Sequence, residues 1–124
     1  MVVLGPDAEL TEQILGCAFR VHAVLGCGFL EKVYENALLH ELRKTGLKAE
    51  QQRPIQVHYD GSLVGTFFAD LLVEGRVIVE LKAVKAIEDI HLAQTLNYLK
   101  AAALKTALLL NFGTRSLEVK RLLY

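Results

Sequence analysis

The stretch FFADLLVEGRVIVELK, residues 67–82, contains two apolar runs separated by a short polar segment. Each run is apolar at odd and even positions alike, which is typical of a β-strand buried on both faces. Asp70 interrupts the first run, and Glu80 and Lys82 lie in the second. Because an unpaired buried charge is costly, these side chains need a common explanation. Two explanations fit: a divalent metal held by the carboxylates beside the lysine, or a structural ion pair between Lys82 and one carboxylate.

The length of the loop between the two strands determines whether the carboxylates can meet. Glu80 and Lys82 share one face of their strand, because side chains two residues apart point the same way. A two-residue turn at 74–75 would place Asp70 on the opposite face, whereas a three-residue loop at 74–76 would pair Asp70 with Glu80 directly. A β-bulge in either strand would serve as well. We therefore predict one of these two features.

Length and composition predict one globular domain spanning residues 1–124. The chain is 52% hydrophobic and contains 2 prolines, which is typical of a compact core and excludes the disordered classes. Its 14 basic and 14 acidic residues give a net charge of zero. That balance argues against long-range attraction of nucleic acid, though not against a local basic patch.

Targeting and membrane signals are not evident in the sequence. The apolar start at 1–4 is too short for a signal peptide, and the run 101–110 is interrupted by Lys105 and too short for a membrane span. Cys17 and Cys27 have neither metal-motif nor disulfide-framework spacing. We therefore expect reduced thiols, a cytoplasmic location and no membrane partner.

The periodicity predicts the element order α-α-β-β-β-α-β-β. The helix before the fourth strand forms a crossover unit, so the third and fourth strands should be parallel and the crossover right-handed. This order predicts an α/β fold (α+β, with a central mixed sheet flanked by helices). The predicted helices span 8–25, 30–45 and 87–103; the predicted strands lie near 55–59, from the turn at 60–61 to 73, and at 77–82, 106–112 and 117–123.

An aspartate on one strand and Glu-x-Lys on the next resemble the PD-(D/E)XK nuclease superfamily. The chain also resembles the small GxxExxY family within it, from about residue 10 to 121. One departure is Cys27, where that family usually has proline. The segments that carry the resemblance are VHAVLG (21–26), GFLEKVY (28–34), FADLLV (68–73), VELKA (79–83), QTLNYL (94–99) and LNFG (110–113). The resemblance implies a restriction-endonuclease-like core with the acidic cluster at the edge of a cleft.

The resemblance also implies roles for the charged residues. Asp70 and Glu80 would hold Mg²⁺ or Mn²⁺, and Lys82 would orient the attacking water or neutralise charge on the phosphate. Glu31 would be a third carboxylate that reaches the metal directly or through water. The alternative for Glu31 is a simple one, since a glutamate in the first turn of a helix is favoured by the helix dipole.

Further candidates lie on the helices. His91, Gln94 and Tyr98 fall within about 60° of one helical face, and the resemblance implies that Gln94 and Tyr98 line the cleft and contact substrate or site residues. The alternative is a solvated polar stripe, and the role of His91 stays open. Tyr34, one turn after Glu31, either hydrogen-bonds a site carboxylate or packs against the sheet.

Taken together, these features predict a metal-dependent nuclease that hydrolyses phosphodiester bonds of DNA or RNA. One alternative is a non-catalytic module of the same fold that binds nucleic acid or protein. Another is a subunit whose cleft is completed by a second chain, and the apolar end at 122–124 could contribute to a homodimer interface.

Overall fold

A computed structural model describes residues 5–124, so the expectation for residues 1–4 lies outside the described residues. The predicted element order is confirmed. Between residues 5 and 124, no helix is long and apolar enough to cross a membrane. The helices are α1 (Ala8–Leu25), α2 (Glu31–Lys44) and α3 (Asp89–Ala102); the strands are β1 (Ala49–Tyr59), β2 (Ser62–Val73), β3 (Val77–Lys82), β4 (Thr106–Asn111) and β5 (Glu118–Leu123).

The five strands form one mixed sheet in the order β1-β2-β3-β4-β5. β3 and β4, which α3 connects, are parallel, and the other neighbouring pairs are antiparallel. β3 and β4 occupy the middle of the sheet, and nearly all their residues are buried. The predicted mixed sheet flanked by helices is therefore confirmed.

Helices cover both faces of the sheet and create two hydrophobic cores. The larger core joins α1 and α2 to one face, and the smaller joins α3 to the other. This arrangement explains why the central strands are apolar at both odd and even positions. The larger core includes Ile14, Tyr34, Leu38, Leu42, Leu71, Leu81, Leu108, Leu110 and Phe112; the smaller includes Ile55, Ala69, Leu72, Ile78, Leu99 and Ala107.

The loop between β2 and β3 has the length that a metal site requires. Leu71 pairs with Val79 in the antiparallel ladder, which leaves residues 74–76 as the loop. Of the two predicted features, a three-residue loop or a β-bulge, the structure has the three-residue loop. The same register places Asp70 opposite Glu80, so no bulge is needed to bring the two carboxylates together.

The first strand is longer than its hydrophobic pattern predicts. It begins at Ala49, which pairs with Val73, whereas the prediction placed its start near Ile55. Residues 50–54 are mostly polar, as is common in an edge strand, and they belong to the sheet through their pairing with β2. Hydrophobic alternation could not reveal this part of the strand.

The chain that leaves β3 is held in place by the end of β4. Asn111 is fully buried, and its side chain accepts a hydrogen bond from the Val84 N–H and donates one to the Val84 carbonyl, both at 3.0 Å. Its Oδ1 also accepts a bond from the Gly113 N–H at 3.0 Å. A Cβ on Gly113 would lie 2.7 Å from the Ala83 carbonyl carbon and closer still to the Val84 backbone. This close approach fixes the backbone directly after Lys82.

We predict that Gly113→Ala destabilises the protein by about 1–3 kcal/mol, because the new methyl group would overlap backbone atoms that cannot move aside. Urea denaturation measures the free energy of unfolding. Gly65→Ala is the matched control, since a Cβ there meets no atom within 4 Å. It should change stability by less than about 0.5 kcal/mol. Equal stability of the two variants would contradict the close approach at Gly113.

Candidate active site

The two strand carboxylates exchange hydrogen bonds with the backbone of the neighbouring strand. The Asp70 N–H donates to Glu80 Oε2 at 2.7 Å, and the Leu81 N–H donates to Asp70 Oδ2 at 2.9 Å. The β2–β3 ladder reaches only to Leu71, whereas β3 stays paired with β4 as far as Lys82. Asp70 and Glu80 therefore lie where β2 separates from β3. Their side chains accept the N–H groups that the ladder no longer satisfies.

Burial and mutual repulsion disfavour two ionised carboxylates at this position. Glu80 is only 7% exposed. Burial, together with the negative charge of Asp70, raises the pKa of Glu80 from 4.5 to about 8. Burial also raises the pKa of Asp70, although the hydrogen bond from the Leu81 N–H acts in the opposite direction. A cation bound beside both groups would favour their ionised forms.

Lys82 lies half-buried beside the carboxylates. Its positive charge acts to lower the pKa of Glu80 and of Asp70, but in both cases burial outweighs it. Among residues 5–124, no salt bridge of 4.0 Å or less joins the Lys82 ammonium to a carboxylate. The ion pair that was the structural alternative to a metal is therefore not formed within the described residues.

Glu31 is the first residue of α2, and its carboxylate interacts with the same charges. Partial loss of solvent raises the pKa of Glu31, the charge of Lys82 opposes this, and the charges of Asp70 and Glu35 add to it. Glu31 is an exposed residue. It lies within electrostatic range of the strand residues, and its place in the first turn also suits the helix dipole.

Tyr98 on α3 borders the carboxylates. Its ring stacks on that of Phe67, with ring centroids 3.8 Å apart and an interplanar angle of 18°. Burial raises the pKa of Tyr98, and the charges of Glu80 and Asp70 raise it further. The structure therefore brings this predicted site residue into electrostatic range of both strand carboxylates.

The other two residues of the α3 stripe differ in their contacts. His91 Nδ1 accepts a hydrogen bond from the Glu88 N–H at 3.0 Å, and the Glu88 side chain in turn accepts the His91 N–H, so the pair forms a capping box at the start of α3. This cap gives His91 a structural role. Gln94, one turn before Tyr98, is exposed and open to solvent.

Tyr34 does not reach the carboxylates. It is fully buried, and its hydroxyl donates to the Gly26 carbonyl at 2.6 Å and accepts a bond from the Phe29 N–H at 3.2 Å. Its ring stacks on Phe112 at a centroid distance of 4.8 Å. Of the two interpretations of Tyr34, this geometry matches packing against the sheet. The tyrosine fixes the loop that precedes Glu31.

Two residues near the carboxylates were missed by the sequence analysis. Glu35 is 3% exposed and accepts hydrogen bonds from Lys32 and Gln52. The Gln52 amide also donates to Asp70 Oδ1 at 3.4 Å. Helical spacing could have indicated Glu35, which follows Glu31 by four residues. Gln52 lies in the polar part of β1, where hydrophobic alternation predicts no strand.

The donor set fits a divalent cation held by two carboxylates. Within residues 5–124, no three His, Cys, Asp or Glu side chains form a ready-made metal cluster. Asp70 and Glu80 nevertheless offer hard oxygen donors of the kind that Mg²⁺ and Mn²⁺ prefer. Mg²⁺ is often bound by one or two carboxylates and keeps several of its waters, so two protein ligands suffice.

The fold and this carboxylate arrangement agree with a known family. The model of the PD-(D/E)XK nuclease superfamily matches residues 8–122, and the chain therefore belongs to that superfamily. Its nucleases usually use divalent metals. Membership of the smaller GxxExxY family stays a prediction.

Comparison with solved structures supports the fold alone. The chain is similar to the crystal structure of SSO0001, with a TM-score of 0.58 and 16% sequence identity over 94% of this chain. It spans 58% of the length of that chain. No curated protein matches it.

We predict that the metal-free protein loses stability as the pH rises from about 4.5 to about 8, because the folded state keeps the Glu80 proton that the unfolded chain releases. Below this window both states are protonated, so the stabilisation is fully present there. Glu80→Gln should flatten the dependence, because the amide cannot ionise. Urea denaturation in a chelator across this window measures the effect.

Glu12→Gln, on the exposed side of α1, is the control and should follow the wild type. Parallel pH profiles for Glu80→Gln and the wild type would show that Glu80 titrates normally in the folded protein.

Proposed function

We propose that this protein is a metal-dependent nuclease that hydrolyses phosphodiester bonds in DNA or RNA. The observation that carries the proposal is the pairing of Asp70 with Glu80 where β2 leaves β3, with Lys82 on the same strand face as Glu80. Membership of the PD-(D/E)XK superfamily supports the same conclusion.

Asp70 and Glu80 are the residues that would hold the metal, Mg²⁺ or Mn²⁺. When bound, such an ion supplies Lewis acidity that activates water and offsets charge on the phosphate. The backbone hydrogen bonds to one oxygen of each carboxylate fix both side chains before any ligand arrives. Glu31 supports the site from α2, where its carboxylate lies within electrostatic range of Lys82 and Asp70.

In this proposal, Lys82 interacts with the attacking water or the phosphate and does not have a structural role. No carboxylate of residues 5–124 forms a salt bridge with it, so its ammonium keeps donors for a water or a phosphate oxygen. In a half-buried position its charge is less screened than on an open surface. It would orient the attacking water or stabilise the charge that develops on the phosphate.

The substrate would lie along α3. Tyr98 lies within electrostatic range of both carboxylates. Gln94, one turn before it on α3, is exposed, and its amide can donate to a phosphate or base edge. His91, in the first turn of α3, is held by its capping box with Glu88. Tyr34 has no substrate contact in this proposal, because both hydrogen bonds of its hydroxyl are internal.

A non-catalytic module of the same fold is the alternative, and the neutral net charge favours it. The presence of all three charged residues of the motif favours the nuclease, since a binding module has no need for two repelling carboxylates. Dimerisation stays a prediction that sedimentation would test.

We predict that Asp70→Asn abolishes Mn²⁺ binding, which calorimetry measures. It should also abolish metal-dependent cleavage, tested on a panel of single- and double-stranded DNA and RNA. The amide oxygen can still accept the Leu81 N–H, so the fold should persist, as circular dichroism would check. Asp60→Asn is the matched control. Asp60 lies in the exposed β1–β2 turn with φ of 52°, which asparagine tolerates. Cleavage that survives in Asp70→Asn would refute the nuclease site.

We predict that Lys82→Ala keeps metal binding but lowers the cleavage rate about 10²–10³-fold, the loss typical of removing one group that stabilises developing charge. Calorimetry and single-turnover cleavage separate the two effects. Metal binding by the wild type without cleavage of any substrate would favour the binding module instead.

A further inference from the structure

Gln52 has a backbone conformation that is unusual for a strand. Its φ of 53° is left-handed, although it lies inside β1. Successive side chains of a regular strand point to opposite faces. Here the amides of Gln51 and Gln52 both donate to the Glu35 carboxylate, at 2.6 Å and 3.1 Å. The left-handed residue therefore turns two neighbouring side chains toward one group on α2.

At the level of Gln52, the side chains of the β1–β2 hairpin switch from one face of the sheet to the other. Ala49 packs into the core under α1 and α2, and Ile55, an even number of residues later, packs into the core under α3. On β2, Leu71 and Ala69 show the same change. The pairing register is the same before and after this level, so no residue is inserted. Asp70 is the residue opposite Gln52 by that register.

A chain of hydrogen bonds connects Asp70 to α2 at this level. Lys32 Nζ lies 2.8 Å from Glu35 Oε2, and the Gln52 amide bonds both oxygens of Glu35. The same amide donates to Asp70 Oδ1 at 3.4 Å. Oδ2 of Asp70 is already held by the Leu81 N–H. Both oxygens of Asp70 thus accept a hydrogen bond, and each keeps a lone pair for a cation.

We propose that Gln52 is a positioning residue that fixes the Asp70 carboxylate for metal binding, with Glu35 as its anchor on α2. The inference rests on the proposed function, because it assigns Asp70 as a metal ligand. A strained backbone in the middle of a strand persists where the surrounding structure requires it, and such residues cluster at functional sites. Side chains that orient a metal ligand typically change metal affinity when they are removed.

The test is Mn²⁺ affinity by calorimetry in Gln52→Gly, Gln52→Asn and Gln51→Ala. Glycine and asparagine both tolerate the left-handed backbone, but glycine removes the amide and asparagine draws it back by one methylene. Both should weaken Mn²⁺ binding about 10-fold or more, as removal of a ligand-orienting side chain does. The control, Gln51→Ala, loses its bonds to Glu35 and Asn36 but touches no site carboxylate, so it should bind Mn²⁺ like the wild type.

Thermal stability separates positioning from a purely structural role. Gln52→Gly should keep its melting temperature while its metal affinity falls, since glycine relieves the left-handed strain. Wild-type affinity in Gln52→Gly, or equal loss in Gln51→Ala, would overturn the proposal. If Gln52→Asn binds Mn²⁺ normally while Gln52→Gly binds it weakly, the loss of affinity comes from the backbone change. That result would overturn the role of the Gln52 amide.

A crystal structure of Gln52→Gly decides the question even if the wild type binds no metal. Such a result would refute the proposed function, but not the positioning of Asp70. Release of Asp70 Oδ2 from the Leu81 N–H in the variant supports the inference. An unchanged Asp70 side chain overturns it.

Discussion

The reciprocal hydrogen bonds between Asp70 and Glu80 are the constraint on which the rest of the site depends. They occur where β2 separates from β3, so each carboxylate accepts an N–H group that would otherwise lack a partner. A carboxylate at this position therefore contributes to the fold and to the chemistry at once. Because the two strands separate there, side chains from both faces of the sheet can approach the carboxylates. Glu31 and Glu35 from α2 then interact with the charge of Asp70, and Tyr98 from α3 interacts with the charges of both carboxylates.

This arrangement places function and stability in opposition. Burial and repulsion raise the pKa of Glu80 to about 8, so the metal-free site is at odds with full ionisation at neutral pH. A structural ion pair would have relieved the conflict, but Lys82 forms no salt bridge with a carboxylate of residues 5–124. Clusters of this kind, with desolvation and a like-charge neighbour, are typical of functional sites. The hydrophobic packing of the two cores around the central strands offsets the free-energy cost of burying the two carboxylates.

The elements that the sequence predicted well are those with a strong local signal. The apolar runs around Asp70 and Glu80 required cover on both faces, and the loop at 74–76 set their register. Both features depend on residues close together in the chain. The predicted start of β1 was wrong because residues 50–54 are mostly polar, and only their pairing with β2 makes them part of a strand. Gln52 lay in that segment and was missed for the same reason.

The sequence by itself determined the order of elements and the mixed sheet, because hydrophobic periodicity acts locally. It limited the pairing of the two strand carboxylates to a three-residue loop or a bulge. Only the tertiary structure decided which other side chains surround them. It directed the Tyr34 hydroxyl to the Gly26 carbonyl. It also brought together Glu35 and Gln52, which are 17 residues apart in the chain. Such contacts depend on how helices pack on the sheet and on the left-handed turn of one strand residue. No local pattern in the sequence carries that information.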